Sequence, residues 1–259
     1  MMEPNRLKQC LREGRLAVGH MVMEFAVPNV AYLLAPLGLD FLLLDLEHTG
    51  TSLQAAAPIL AACRQVGLPA IVRVPGPTGH FVSRCLDLGA MGIMMPNVKS
   101  AEEARRFVEA AKYPPLGKRG MGLGGAHTGY QVPNSRQYAE WANEETVLIA
   151  QIESPEGVDA IDDILAVPGI DVAWVGHNDL SLNMGIVGQF DDPRFIEARL
   201  RVAQACRAHG KGAGCQPGTL ALAREWYEAG YNVISLGTDI AVYQRALREF
   251  QAAVRGLGA

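Results

Sequence analysis

The sequence predicts an α/β fold, an eight-stranded (β/α)8 barrel, and three observations carry that prediction. Eight short apolar, β-branched runs recur along the 259 residues, at 16–23, 41–46, 70–74, 92–95, 147–152, 172–175, 212–215 and 232–236. They are continuous rather than alternating, as strands buried on both faces of a parallel sheet are. Segments with helix-start and helix-stop residues lie between them. The main rival, an open doubly wound sheet that binds a dinucleotide, calls for a GxGxxG after the first strand, and none is present.

Each helix has its own signals. Ser52 caps an Ala- and Leu-rich stretch that runs to Val66 and stops at Gly67. Thr78 opens the next, closed by Gly89. Ser100 and Glu103 have capping-box spacing ahead of 104–111, and Pro114 ends that helix. Helices are also predicted over 194–209, 219–229 and 239–254. The run 212–215 is the weakest strand, since glycine disfavours strand interiors. One stretch breaks the rhythm: 118–143 is far longer than a crossover needs and holds five glycines, His127 and Tyr130. It reads as a covering loop or interface arm inserted into a single domain spanning 1–259.

Composition narrows the function class. Lys+Arg number 23 against 27 Asp+Glu, a net charge of −4, too mild for a nucleic-acid protein. At 49% hydrophobic the chain is too apolar for disorder. No apolar run reaches membrane-span length, and residues 1–14 carry charges without a leader-like core, so neither membrane nor export is expected. Cys10, Cys63, Cys85, Cys206 and Cys215 are odd in number, scattered, and free of CxxC pairs. They read as reduced thiols of a cytoplasmic protein.

In such barrels the chemistry sits at the carboxyl ends of the strands. Polar residues fall there on four strands: Asp45-Leu46-Glu47-His48, Arg73, Gln151-Ile152-Glu153-Ser154 and Gly176-His177-Asn178-Asp179. Charges in apolar strands are expensive to bury unless paired or bound to metal. Glu153 and Asp179 read as ligands for a hard divalent ion that keeps several waters. The alternatives are an ion pair with Arg73 or a glycosidase carboxylate pair. His48 reads as the base, with Asp45 to orient it if the chain leaves strand geometry near Glu47. Arg73 reads as an oxyanion stabiliser, or as a salt-bridge partner of Glu153 or Asp45. His20 and His177 are placed near the same rim. No lysine ends a strand, which disfavours a Schiff base, and no GxSxG is present.

Taken in order, Asp45-x-Glu47-His48, Val72-Arg73-Val74-Pro75, Leu88-Gly89-Ala90-x-Gly92, Lys118-Arg119-Gly120, Gln151-Ile152-Glu153-Ser154, Asp179-Leu180-Ser181 and Gly188-Gln189-Phe190 resemble the metal-dependent class II pyruvate aldolases. These include the 4-hydroxy-2-oxoheptanedioate and 2-dehydro-3-deoxyglucarate aldolases, enzymes of aromatic-compound and sugar-acid catabolism. The resemblance implies an aldehyde-lyase that joins or parts pyruvate, or another 2-oxo acid, and an aldehyde. It implies Mg²⁺, or Mn²⁺ or Co²⁺, on Glu153 and Asp179, with Gln151 and the backbone around Asn178 holding the oxo acid. Arg73 would face the enolate oxygen, and His48 with Asp45 would form the acid–base dyad. It also implies a hexamer built as a trimer of dimers, with the last helix exchanged between subunits and Asp87 reaching a neighbour's site. The wide apolar face of 239–254 suits that exchange. The chain departs from the family at Val22-Met23-Glu24, where a Trp is common, at Asn178, and in the insert, which lacks an arginine that some members carry. Other readings are a related carbon–carbon lyase acting on a CoA thioester and a non-catalytic barrel that binds a small acid.

Overall fold

In a computed structural model, which describes residues 3–258, eight parallel strands close into one barrel in the order β1 to β8. The strands are β1 (Ala17–Val22), β2 (Phe41–Asp45), β3 (Ala70–Arg73), β4 (Gly92–Met95), β5 (Val147–Ile152), β6 (Val172–Val175), β7 (Gly212–Cys215) and β8 (Val233–Thr238). All eight predicted runs are strands, each within two residues of its expected ends. The helices are α1 (Arg6–Glu13), α2 (Asn29–Leu34), α3 (Leu53–Gln65), α4 (Gly79–Asp87), α5 (Ala101–Ala111), α6 (Ser135–Glu145), α7 (Pro155–Asp159), α8 (Ile161–Leu165), α9 (His177–Asn183), α10 (Pro193–Ala208), α11 (Leu220–Glu228) and α12 (Asp239–Arg255). Among the described residues no helix is long and apolar enough to cross a membrane.

Two apolar layers hold the fold. One lies between strands and helices. The other fills the barrel with alternate residues of the strands, including Met21, Phe41, Leu43, Ile71, Met94, Ile149 and Trp174. Large and small side chains interlock there. A Cβ at Gly214 would sit 2.2 Å from the Trp174 ring, and one at Gly19 would sit 2.4 Å from Phe41. The glycines that made 212–215 a weak strand on sequence therefore make room for bulky neighbours. Helix α1, which periodicity alone did not single out, adds Leu7, Cys10 and Leu11 to this inner layer and closes the amino-terminal end.

The glycine-rich stretch is only partly a loop. Its second half is α6, capped by the Asn134 side chain, which accepts from the Gln137 amide. Its buried Tyr138 and Ala142 pack with Tyr113, a tertiary anchor that composition did not reveal. Helix α12 differs from its neighbours: Asp239 is its one buried residue, and Tyr243, Leu247 and Phe250 are 53%, 50% and 71% exposed.

Candidate active site

The inward rows of the barrel end in polar side chains at its mouth. Phe41 and Leu43 lead to Asp45, Ile71 to Arg73, and Val147 and Ile149 to Gln151 and then Glu153. A cavity of about 220 Å³ opens there. Met21, Leu43, Met94 and Trp174 form its apolar floor, while His48, Arg73, Gln151, His177, Asn178 and Asp179 line its wall.

Arg73 and Asp45 make a two-pronged pair. Nε donates to Oδ1 and Nη2 to Oδ2, each at 2.8 Å. Burial works to raise the Asp45 carboxyl, but the guanidinium hydrogen-bonded to it holds it below its ordinary range. The salt-bridge reading of Arg73 is thus correct for Asp45. The expected hydrogen-bonded pair of Asp45 with His48 is not formed. Both Asp45 oxygens are committed to Arg73, and Oδ1 also accepts from the Glu47 amide at 3.0 Å. That contact turns the chain out of β2, so His48 stands beside Glu47, with Nε2 at 3.5 Å from Oε2. The side chain of His48 is 55% exposed, open to solvent and cavity alike.

Negative charge is in surplus. Glu47 Oε2 lies 3.3 Å from Arg73 Nε but is buried without a hydrogen-bond partner. Burial raises its pKa, and Asp45 and Asp179 push it further up against the pull of Arg73 and His48. Glu153 is pushed up to about 7, chiefly by burial, with Asp179 and Glu47 adding to it and the Asn97 amide opposing. That amide donates to Glu153 Oε2 at 2.8 Å, from a residue held at φ 53°, a left-handed backbone that asparagine tolerates. Gln151 Nε2 donates to the other oxygen at 2.6 Å, which leaves Gln151 Oε1 buried and unpartnered. The fit is tight: a Cβ at Gly176 would lie 2.4 Å from Glu153 Oε1. Among the described residues no group of three or more His, Cys, Asp or Glu is arranged to surround an ion. An ion on Glu153 and Asp179 would therefore complete its shell with water or substrate. Both the surplus charge and the unpartnered oxygens fit such a group.

The other expected residues separate. His177 lines the cavity, edge-on to Phe190, and burial lowers its pKa. His20 does not reach the mouth. It alternates with inward Gly19 and Met21 and faces a groove outside the barrel, among Leu34, Leu37 and Leu220. Asp87 ends α4 near the start of β4, pairs with Arg119 at 2.6 Å, and lies outside the cavity of its own chain. Lys112 is buried but donates to the carbonyls of Asn143 and Thr146, next to the start of β5 and away from the mouth. Glu47, Asn97 and Gln216, the last of which also lines the cavity, carry no role in the sequence reading. Glu47 was visible as part of the Asp-x-Glu-His run, and Asn97 as a turn residue after Pro96.

A sequence model of the HpcH/HpaI aldolase/citrate lyase family matches residues 23–246. The chain belongs to this family. It is 33% identical over 247 residues, 95% of each chain, to a hydroxypyruvate/pyruvate aldolase of Roseovarius nubinhibens. It is 31% identical over 252 residues, 97% of each, to a 5-keto-4-deoxy-D-glucarate aldolase of Citrobacter koseri. The crystal structure of an HpcH/HpaI aldolase from Desulfitobacterium hafniense superposes with a TM-score of 0.91 at 33% identity, over 96% of both chains. The class II aldolase resemblance therefore stands, and neither the CoA-thioester nor the non-catalytic reading is favoured. This family member is a carbon–carbon lyase of aldolase type.

Proposed function

We propose that the chain catalyses reversible aldol cleavage of 4-hydroxy-2-oxo acids into pyruvate, or a close 2-oxo acid, and an aldehyde. One observation carries this reading: at the barrel mouth burial raises the carboxyls of Glu47 and Glu153, the nearby charge of Asp179 adds to both, and the Arg73 guanidinium there is already paired with Asp45. That arrangement suits a divalent cation, Mg²⁺ or else Mn²⁺ or Co²⁺, held by Glu153 and Asp179. When bound, such an ion supplies Lewis acidity to a 2-oxo acid carbonyl.

The chain's own residues do the rest. Gln151 and the first turn of α9 around Asn178 border the cavity and hold the oxo acid. Asp45 fixes the Arg73 fork, whose remaining amino nitrogen still carries N–H donors for the enolate oxygen. His48 takes the C4 hydroxyl proton, with Glu47 beside it to steady the imidazolium. The C3–C4 bond then breaks, its electron pair passes into the pyruvate enolate, and the aldehyde leaves. A proton returned to C3 completes pyruvate.

The test is exchange of pyruvate methyl protons for deuterium, with and without added Mg²⁺ or Mn²⁺, followed by an aldehyde panel. Metal-dependent exchange is expected. Full exchange after chelation overturns the metal role, and absence of exchange with every metal overturns the aldolase reading.

We also propose a homohexamer. The exposed apolar face of α12, beside a groove of about 370 Å³ lined by Leu34, Leu37, Leu220 and Val242, suits exchange of this helix with a second copy. Asp87, which its own chain's site does not use, is then available to a neighbour's. A monomer by light scattering overturns this. Five buried free thiols among the described residues suit the reducing cytoplasm.

A further inference from the structure

We propose that Asp239 is a positioning residue, whose carboxylate clamps the β1–α2 loop and so sets the aldehyde side of the cavity. This rests on the aldolase reading above.

The geometry is specific. Asp239 Oδ2 accepts from three consecutive backbone amides, Met23 at 3.1 Å, Glu24 at 3.0 Å and Phe25 at 2.7 Å. Oδ1 accepts from the Ile240 amide at 2.9 Å. Four N–H groups thus meet a side chain that is 5% exposed, on a helix otherwise open along its length. Hydrogen bonds to an ionised carboxylate are about twice as strong as neutral ones. The clamped segment needs such a hold: it lies between the end of β1 at Val22 and the start of α2 at Asn29, and Glu24 and Phe25 are exposed. Its Phe25 ring also meets α12, edge-on to Tyr243 with centroids 5.4 Å apart.

The clamp joins two parts of the cavity wall. Met23, in the loop, and Thr238, next to Asp239, both line the cavity. Thr238 also caps α12, its Oγ1 accepting from the Ala241 amide. In a closed eight-strand order β1 lies opposite β5, so this wall faces Glu153 across the mouth. An oxo acid bound near Glu153 and Asp179 leaves the far side, with Met23 and Thr238, to the aldehyde. Loosening the clamp should shift that side and leave the pyruvate side in place.

The experiment uses full-length Asp239→Ala and Asp239→Asn, with pyruvate deuterium exchange and aldol kcat/KM measured on the same preparations. Expected for Asp239→Ala is a loss of about tenfold or more in aldol kcat/KM, the scale of a small misplacement, seen mainly as a raised KM for the aldehyde. Pyruvate exchange should be unchanged. Asp239→Asn keeps an accepting oxygen without the charge and should fall between. Parallel loss of both activities, or loss of neither, overturns the proposal. Should Asp239→Ala not fold, amide hydrogen exchange over residues 23–25 decides. Protection in the wild type that weakens in Asp239→Asn supports the clamp, and equal rates in the two overturn it. Wild-type protein inert toward pyruvate refutes the aldolase reading instead, a result separate from either outcome.

Discussion

At the closed end of the barrel, carboxylates are met by protein. Glu145 accepts from the Asn5 amide at 2.6 Å and from Arg12 at 2.7 Å. Asp171 accepts from the Leu148 amide at 2.9 Å and pairs with Lys8. At the open end Glu47 keeps a buried oxygen without a hydrogen bond, and Glu153 is pushed up to about 7. The same residue types thus do opposite work. Fully satisfied groups fix one arrangement of the chain. Under-satisfied groups store a demand for a cation or a substrate, which is why perturbed carboxyls cluster at functional sites.

Four measurements break or sharpen this contrast. The largest effect is expected at His48: His48→Ala should lower aldol kcat by about 10²–10⁴, the usual worth of acid–base help. Its melting temperature should hardly move, because the side chain is half exposed. An unaltered rate removes His48 from the mechanism.

Next, Arg73→Ala leaves Asp45 fully buried without its partner. Denaturant unfolding should show a loss of about 3–5 kcal/mol, the cost of breaking a buried pair from one side. A loss near zero would show that the pair serves catalysis alone.

Glu153→Gln should act in the opposite direction on stability. Burial raises the folded-state pKa of Glu153 from 4.5 to about 7. The folded protein therefore holds this proton more tightly than the unfolded chain. Its contribution to stability is fully present below about pH 4.5 and is lost as pH rises through 7. In chelated protein the wild type should lose roughly 3 kcal/mol relative to Glu153→Gln over that window. Thermal melts of both proteins from pH 4 to 8 check this, and added Mg²⁺ should restore the wild type alone.

The smallest effect belongs to the closed end. Asn5→Ala removes the side chain that caps α1 and donates to the carbonyls of Met91 and Glu145. It should cost about 1–2 kcal/mol and leave pyruvate exchange unaltered. A large change in exchange would show that the two ends are not independent.

Much of the site was legible because strand periodicity is local. Once 41–45, 71–73 and 147–153 are inward rows, Asp45, Arg73, Gln151 and Glu153 must point into the barrel. The same parity argument turns His20 outward, although its nearness to the rim in sequence suggested otherwise. Partner choice stays open on sequence, where Asp45 could serve either Arg73 or His48. Asp45 pairs with Arg73 and not His48 because the Glu47 amide folds back onto Asp45 and ends the strand there. Nothing in the residue order says that Asn97 will take a left-handed backbone to serve Glu153.

Alone, then, the sequence determined the eight βα units, the inward rows, and the charges that those rows carry to the mouth. These follow from hydrophobic period and capping, which act over a few residues. Tertiary structure decided which charge finds which partner. Arg73 reaches Asp45 across neighbouring strands, Glu153 meets the Asn97 amide, and Asp239 grips amides 214 to 216 residues away. Those choices depend on burial and on distance through space, and only the closed barrel sets either.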